Sequence, residues 1–418
     1  SSFDHSRLTE LRNSARTRLV QSAEQFILRL HGIADDADIP ANSAGLLTGN
    51  PEEQPIVMTG HQPVVFHSGL TFKYETTQQF AADNNAIAVA VVIDTDLGDA
   101  GQFSYPNWEG DSPTLAIDTI ATSATLYGHS RLRDVNELKQ VSQQISQQLR
   151  SHDLTAAAQS SDAAFASFIA LASVRARAME ASLITRWQHG VGSRMLELPL
   201  SAIASFPETL TLTADMLKQP LRFAAAYNSA LDVFRDENNI RNAANPFPNL
   251  KIDGDTCELP FWLISHNKKS RHVLEAQLSG NETRLIANGK TVDTFTGNVT
   301  AEALEPLLLQ NIQIVPRGAL ITAFLRLLFS DLFVHGTGGA RYDRFTDEFI
   351  RSWWNVEPPP FTIASASRFL FTEKRNELQR LEGIQASLRD LQFNPQRQFG
   401  SGVFSKSLEA ELKELMQQ

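Results

Sequence analysis

The sequence predicts an α/β protein whose core is a parallel sheet, and three features of the chain predict it. Residues 56–93 run from a short apolar strand through a loop and a helix to a second strand. That second strand, 87–93, is polar on neither face, which is typical of a parallel strand covered by helices on both sides. A further strand, glycine-rich turn and helix follow at 331–342. Together these units predict a Rossmann-like core.

The length of 418 residues is more than one core normally supports, so several folding units are expected. Hydrophobic residues make up 42% of the chain and charged residues 20%, as in a globular protein. We expect helical insertions, a small β-containing segment and a C-terminal helical or coiled-coil hairpin around the core. The expected segments are an N-terminal helix at 1–32, the first half of the core at 56–130, a mainly helical region at 131–240, a β-rich insertion at 245–300, the second half of the core at 301–360 and the helical tail at 361–418.

Composition excludes several classes of protein. A net charge of −10 argues against an extended nucleic-acid interface, which needs clustered Lys and Arg. The single cysteine, Cys257, excludes an intramolecular disulfide, and its apolar neighbours indicate a buried, inert thiol. The longest apolar run, 86–93, is too short to cross a bilayer, and no signal-peptide pattern is visible. We therefore expect a cytoplasmic protein that acts on a small-molecule substrate and binds neither nucleic acid nor membrane.

The tail after Pro358–Pro360 carries two apolar stripes at helical spacing. The stripes consist of Leu381, Ile384, Leu388 and Leu391, followed by Phe404, Leu408, Leu412 and Leu415. This pattern predicts a short antiparallel coiled-coil hairpin that pairs with the N-terminal helix or with another subunit in a homodimer. The alternative is a surface helix packed on its own domain.

The first candidate binding segment joins the first strand to its helix, and it runs from Thr59 to Gly69. A loop in this position lies at the carboxyl edge of the sheet, where the helix N-terminus favours an anion. Gly60 allows close approach of the backbone, and His61, Gln62 and His67 supply hydrogen bonds or acid–base groups. Alternatively, the histidines only cap the helix. Lys73, one turn into the helix, either reaches back to the ligand or is simply solvated.

The second candidate segment is His335-Gly336-Thr337-Gly338-Gly339-Ala340-Arg341-Tyr342. Three glycines within four positions allow a nest of backbone N–H groups for phosphate, and Arg341 adds a fixed positive charge. A tight turn that needs positive φ is the alternative. If the two segments converge, Gly336, Gly338, Gly339, Arg341 and Tyr342 complete one nucleotide site with the first loop.

Asp94 and Asp96 end the second strand as Ile-Asp-Thr-Asp. Two residues apart on a strand, their carboxylates are expected on the same face of the sheet. There they would accept hydrogen bonds from ribose hydroxyls, hold a substrate amine or bind Mg²⁺. A helix cap or turn formed by one of them is the alternative.

These motifs resemble those of the cysteine ligase family of bacillithiol biosynthesis. That family has Thr-Gly-Gln-Gln after its first strand, Glu-Asp-His-Asp after the next, and Gly-Pro-Gly-x-x-x-Tyr late in the chain. The counterparts, in the same order, are Thr59-Gly60-His61-Gln62, Asp94-Thr95-Asp96 and Gly336-Thr337-Gly338 followed by Tyr342. The resemblance runs from residue 56 to the helical tail, and it implies a Rossmann-like core with a coiled-coil region.

The chain departs from the family at several positions. His61 replaces a glutamine, the acidic motif is shorter, and the lysine after the first loop is shifted. The step His67-Ser68-Gly69 also resembles half of the His-x-Gly-His motif of nucleotidylyl transferases, with Leu70 in place of the second histidine. The resemblance therefore implies a divergent relative with its own substrate.

The expected function is that of a ligase-like or nucleotidyl-transfer-like enzyme that joins an amino acid or related acid to a small amine. ATP or ADP is the expected cofactor, together with Mg²⁺. His61, His67, Asp94 and Asp96 are the expected catalytic residues. Two alternatives remain: a non-catalytic nucleotide or small-molecule binding protein, and a transferase that depends on a sugar nucleotide.

Overall fold

The computed structural model describes most of the chain, and it divides into two compact units, Ser1–Ser365 and Ala366–Gln418. Each unit is considered by itself below. The described residues are 5–36, 49–64, 67–98, 101–110, 112–122, 125–242, 244–367 and 372–416.

The first unit contains both a parallel and an antiparallel sheet. Its strands are β1 (Ile56–His61), β2 (Ile87–Val92), β3 (Leu97–Gly98), β4 (Gln102–Glu109), β5 (Ser112–Thr119), β6 (Thr125–Leu126), β7 (Leu196–Pro199), β8 (Ile252–Asp253), β9 (Thr256–Ser265), β10 (Ser270–Ser279), β11 (Glu282–Ala287), β12 (Lys290–Thr296), β13 (Ile312–Pro316), β14 (Leu332–His335) and β15 (Phe361–Ile363).

Helices pack around these sheets and also form the second unit. They are α1 (His5–Asp36), α2 (Ser68–Asp83), α3 (Val135–Ser151), α4 (Thr155–Ser173), α5 (Ala178–Gln188), α6 (Leu200–Ala204), α7 (Pro207–Leu217), α8 (Pro220–Glu237), α9 (Ala301–Leu309), α10 (Ala319–Leu328), α11 (Thr337–Trp354), α12 (Thr372–Phe393) and α13 (Lys406–Leu415).

The parallel sheet has five strands in the order β15-β14-β1-β2-β7. From β1, the chain adds β2 and then β7 on one side of the sheet. It later returns to the centre, where β14 pairs with the other side of β1. The sequence progression therefore reverses between β1 and β14. In parallel sheets, the carboxyl edge at such a reversal is where ligands commonly bind.

Both faces of the parallel sheet are covered. All six residues of β2 are buried, which confirms the prediction of a strand without a polar face. On one face Val57, Ala88 and Ala90 pack against Leu70 and Tyr74 of α2. The opposite face contributes to the larger core, to which α1, α10 and α11 also contribute. Burial of this apolar area is the main source of stability for the sheet.

The antiparallel sheet has the order β12-β11-β10-β9-β13, with β8 paired to β9. The chain between 245 and 300 forms most of this sheet, as its turn-rich pattern predicts. However, β13 lies beyond residue 300 and pairs with β9 from Ile312 to Pro316, so the sheet extends past the predicted boundary. Cys257 is buried in β9, and burial raises the pKa of its thiol to about 12, which agrees with an inert side chain.

Asp331 fixes the amino ends of β1 and β14. Its carboxylate accepts hydrogen bonds from Arg12 Nη2 at 2.8 Å, Arg16 Nη1 at 2.5 Å and the Ile56 backbone N–H at 2.7 Å. Arg12 also donates to the carbonyls of residues 326 and 327 at the end of α10. The N-terminal helix α1 therefore holds both strands of the reversal point from the edge opposite the candidate site.

The second unit consists of α12 and α13, joined by a short 3₁₀ turn. None of its residues is buried within the described structure, and Leu381, Ile384 and Leu388 are each about half exposed. The two helices lie where the apolar stripes predict them, whereas their pairing as a coiled coil stays a prediction. Among the described residues, no helix is both long enough and apolar enough to span a membrane.

Candidate functional site

The first loop is shorter than the sequence predicts. Strand β1 continues through Thr59, Gly60 and His61, and α2 already begins at Ser68. Thr59 is fully buried, and its hydroxyl donates to the carbonyl oxygen of Val334 in β14 at 2.9 Å. The strand continues because Thr59, Gly60 and His61 pair with the last three residues of β2. Thr59 therefore joins the central strands and does not present its hydroxyl to a ligand.

Lys73 reaches back to the end of β1, as one of the two sequence interpretations proposed. Its Nζ donates to the carbonyl oxygen of Gly60 at 2.7 Å, and the side chain is buried. Burial lowers the pKa of Lys73 from 10.5 to about 8. Gly60 is closely packed on its other side, because an added Cβ would lie 3.1 Å from the carbonyl oxygen of Val91. The ammonium is therefore fixed at the carboxyl edge of the sheet.

His61 and His67 occupy different environments. His61 is partly buried, and its Nδ1 donates to the carbonyl oxygen of Gln62 at 3.1 Å. Burial lowers the pKa of His61, and the positive charge of Lys73 lowers it further. The imidazole is thus neutral at neutral pH, with Nε2 as its acceptor. His67 is exposed and is the N-cap of α2, where its Nδ1 accepts a long 3.4 Å hydrogen bond from the Leu70 N–H.

The second segment is not a nest of alternating turn conformations. Helix α11 begins at Thr337, so Gly338 and Gly339 form its first turn, and neither has a positive φ. Both the predicted nest and the alternative tight turn are therefore wrong. Gly336 is the N-cap and supplies no side-chain cap, which leaves the exposed first-turn N–H groups free to bind an anion. Arg341, also exposed, lies in the next turn.

Position 339 has no room for a side chain, because a buried histidine packs against it. This histidine had no role in the sequence-based prediction. An added Cβ at Gly339 would lie 2.8 Å from His335 Nδ1. His335 donates from Nε2 to Asp343 at 2.9 Å, and Asp343 also binds Arg326 at 2.7 Å. Burial raises the pKa of Asp343, but hydrogen bonding to His335 and the charge of Arg326 bring it below its usual value. This network fixes the junction between β14 and α11.

Asp94 and Asp96 do not share a face of a strand. β2 ends at Val92, both residues follow in the next turn, and the expectation of paired carboxylates is therefore wrong. Asp94 is buried, and its two oxygens accept from the N–H of Ser201 at 2.9 Å and from its hydroxyl at 2.5 Å. Burial raises the pKa of Asp94. Asp94 thus binds the first turn of α6 from a distant part of the chain, whereas the N-cap residue of α6 is Pro199.

Asp96 remains at the candidate site. Its Oδ2 accepts from Gln62 Nε2 at 2.9 Å, and its Oδ1 accepts from Arg271 Nη1 at 2.6 Å. Arg271 lies on β10, so Asp96 connects the first loop to the antiparallel sheet. Sequence reasoning missed Arg271, because no local pattern relates it to a loop 175 positions earlier.

Two further contacts bring the antiparallel sheet to this edge. The guanidinium carbons of Arg271 and Arg317 lie 4.3 and 4.7 Å from the centre of the Trp262 ring. Tyr342, in α11, packs against Phe247 with ring centres 6.1 Å apart. Phe247 in turn lies against Gly318, the residue after Arg317. Tyr342 is therefore a packing residue between the second segment and the antiparallel sheet.

A histidine pair joins the 3₁₀ turn Tyr127–His129 to the end of β9. His266 Nε2 donates to Gln313 Oε1 at 2.6 Å, and His266 Nδ1 shares a hydrogen bond of 2.8 Å with His129 Nε2. Gln313 donates to the Ser201 carbonyl at 3.2 Å. Ser201 in turn donates to Asp94. The two histidines are therefore part of a hydrogen-bond network that holds the turn after β2 in place.

The described part of the chain contains no group of three or more His, Cys, Asp and Glu residues arranged to bind a metal ion. No family model matches the chain, and no curated protein matches it. The arrangement of its own residues is therefore the basis for a functional proposal.

Proposed function

We propose that the carboxyl edge at β1 and β14 binds a nucleotide phosphate in a Rossmann-like core, and that the chain is a ligase-like enzyme joining an acid to a small amine. The observation that carries the proposal is the adjacency of β1 and β14. It brings the first-turn N–H groups of α2 and α11 to one edge, beside the ammonium of Lys73. Helix N-termini and a fixed cation are complementary to phosphate.

The order of the parallel strands supports the Rossmann-like description. Numbered by their appearance in the sheet, the strands run 5-4-1-2-3, which is the order of the first five strands in the doubly wound dinucleotide fold. In that fold the ligand lies at the point where the order reverses. The reversal here is between β1 and β14, where both candidate segments begin.

Separate residues would perform separate parts of the reaction. Lys73 and the first turn of α11 would hold the phosphates, and Arg341 would neutralise their charge. ATP would supply the energy for ligation, and Mg²⁺ would accompany its phosphates. His61, neutral with a free Nε2, would accept the proton that the attacking amine loses. Asp96 would orient the substrate from the opposite side of the first loop.

A matched pair of variants at Gly338 tests the phosphate site. Space is open around this residue, so Gly338→Asp and Gly338→Asn introduce side chains of similar size without a steric clash. We expect calorimetric titration to show saturable binding of ATP, ADP or AMP by the wild-type chain. Gly338→Asp should weaken it by roughly tenfold or more, since a carboxylate replaces the bound anion, and Gly338→Asn should weaken it less. Absence of binding to the wild-type chain, or equal binding by Gly338→Asp, would overturn the proposal.

A second candidate is a nucleotide-binding protein without turnover. The engagement of Asp94 by Ser201 favours it, because one of the two expected catalytic carboxylates is occupied in the fold. Incubation with ATP, Mg²⁺ and a panel of acids and amines separates the two candidates. Release of phosphate, pyrophosphate or AMP that requires both an acid and an amine supports the ligase, and its loss in His61→Ala with unchanged nucleotide affinity supports the role of His61.

A further inference from the structure

One face of β9 carries a half-buried tryptophan between two arginines. Alternate residues of β9, among them Leu259 and Phe261, are buried in the core, so Trp262 points to the other face. Arg271 and Arg317 lie against its ring on this face. We call Trp262, Arg271 and Arg317 the Arg–Trp–Arg patch.

The Arg–Trp–Arg patch adjoins both phosphate segments. Asp96 joins Arg271 to Gln62 of the first loop through hydrogen bonds of 2.6 and 2.9 Å. On the other side, Phe247 bridges Gly318, next to Arg317, and Tyr342 of α11. A ligand on the patch would therefore lie beside a phosphate bound at the carboxyl edge.

Both guanidinium groups retain unused hydrogen-bond donors. Arg271 uses Nη1 for the Thr95 carbonyl and for Asp96, whereas its Nε and Nη2 have no acceptor within the described chain. Arg317 uses Nη2 for Glu258, and its Nε is too deeply buried to meet an acceptor from outside, so Nη1 is its open donor. These open, charged donors can bind an acceptor from outside the described chain.

The local charge also favours an anion. The cations at the edge are Lys73, Arg271, Arg317 and Arg341, against the carboxylates of Asp96 and Glu258. Arg271 and Arg317 are each paired with one of these carboxylates, so the surplus of two positive charges lies on Lys73 and Arg341. A bound phosphate would use Lys73 and the N-terminus of α11, and the guanidinium groups would stay available.

We propose that the Arg–Trp–Arg patch is the subsite that binds the carboxylate group of an organic acid substrate. As an acid subsite next to the nucleotide, it deepens the proposed function and rests on it. Arginine presents planar pairs of N–H groups that match a carboxylate, and an aromatic ring beneath the guanidinium holds it in orientation. The carboxylate would accept from Nε and Nη2 of Arg271 and from Nη1 of Arg317.

Titration of the ¹⁵N-tryptophan-labelled chain with succinate tests the subsite directly. Trp262→Phe assigns the indole N–H signal of Trp262. We expect that signal to shift saturably with succinate and not with succinamide, which has the same length without carboxylates. A Trp262 signal that does not respond to succinate, with or without ATP, would overturn the proposal.

Substitutions identify the carboxylate ligands. Arg271→Gln and Arg317→Gln should each weaken succinate binding by roughly tenfold or more, since each removes a charged hydrogen-bond donor. Arg284→Gln removes the same charge from the neighbouring strand β11, where Arg284 pairs with half-buried Glu282, and should leave the affinity unchanged. Thermal unfolding shows whether each variant is folded. If Arg317→Gln does not fold, Arg317→Lys keeps the charge, loses the planar fork and should still weaken binding.

Parallel ATP titrations distinguish failure of this inference from failure of the proposed function. Loss of succinate binding in Arg271→Gln with ATP binding retained supports a separate acid subsite. Succinate binding by a wild-type chain that binds no nucleotide supports the subsite and overturns the nucleotide site alone. Equal succinate affinity in wild type and Arg271→Gln overturns the subsite, as does tighter binding of inorganic phosphate than of succinate at the same arginines.

Discussion

Lys73 donates its buried ammonium to the carbonyl oxygen of Gly60 across 2.7 Å, and this contact fixes a cation at the end of the central strand. The side chain is 6% exposed, so the charge has little access to water. Burial consequently lowers the pKa of Lys73 to about 8. A lysine held in this way costs stability at neutral pH, which is typical of a group placed for binding or catalysis.

The first prediction concerns the pH dependence of stability in Lys73→Met. The unfolded chain keeps a lysine pKa near 10.5, whereas the folded chain has about 8, so the unfolded state binds more protons between these values. The stability contributed by Lys73 is therefore lowest below pH 8 and rises with pH up to about 10.5. In chemical denaturation, the free energy of unfolding of the wild-type chain should rise by about 3 kcal/mol relative to that of Lys73→Met across this pH range.

Lys139→Met is the control, because Lys139 is exposed on α3. Its stability difference from wild type should stay constant over the same pH range. A constant difference for Lys73→Met as well would contradict the buried, depressed ammonium.

The second prediction concerns the titration of His61. Burial, followed by the charge of Lys73, holds the pKa of His61 below 6.5. NMR titration of the imidazole carbon resonances, with His61→Asn for assignment, should place its midpoint below that value. Lys73→Met should raise the midpoint, since the nearby charge is removed, while burial keeps it under 6.5. A midpoint that does not move in Lys73→Met would show that the two groups are not coupled.

The third prediction compares alanine at two adjacent glycines. A Cβ at Gly339 would approach His335 Nδ1 to 2.8 Å, while a Cβ at Gly338 meets nothing within 4 Å. Gly339→Ala should lower the free energy of unfolding by about 2 kcal/mol, because buried His335 is held by Asp343 and cannot move freely. Gly338→Ala should raise it by up to about 1 kcal/mol through helix propensity. Equal stability of the two variants would refute the close contact.

The fourth prediction separates two carboxylates that share Arg326. Its Nη1 lies 2.7 Å from Asp343 and its Nη2 lies 2.5 Å from Asp347. Asp343→Asn should lower the free energy of unfolding by about 3 kcal/mol near pH 7, since it disrupts a buried ion pair and the hydrogen bond from His335. Because the folded-state pKa of Asp343 lies below 3.8, its contribution is present above that pH and is lost as pH falls through the folded value.

Asp347→Asn serves as the matched variant on the same helix. Burial raises the pKa of Asp347 above its usual value despite the charge of Arg326, so ionisation of Asp347 lowers the stability of the folded chain. Denaturant titration near pH 7 should therefore show a smaller loss for Asp347→Asn than for Asp343→Asn. An equal loss of stability in the two variants would mean that both carboxylates contribute equally to pairing the buried charge of Arg326.

Local pattern was sufficient to predict several elements of this protein. The apolar run of β2 predicted a parallel strand covered on both faces, because neither face of such a strand carries polar side chains that could contact water. The strand–loop–helix pattern placed Gly60 and His61 after the first strand, and it left open whether Lys73 reaches back to them or is solvated. The glycines before Tyr342 marked the start of α11, although the sequence did not show that they lie within its first turn.

Tertiary structure decided which of these groups meet. The reversal that sets β14 beside β1 joins strands about 275 positions apart, as the Thr59 to Val334 hydrogen bond shows. The carboxylate of Asp94 accepts a hydrogen bond from Ser201, whereas that of Asp96 accepts one from Arg271. The periodicity of a sequence reports which face of an element is buried, but the partner of a polar group depends on how distant elements pack. The sequence by itself thus determined the parallel α/β core and the strand ends, and only the packing of distant strands assembled the edge on which the proposed site depends.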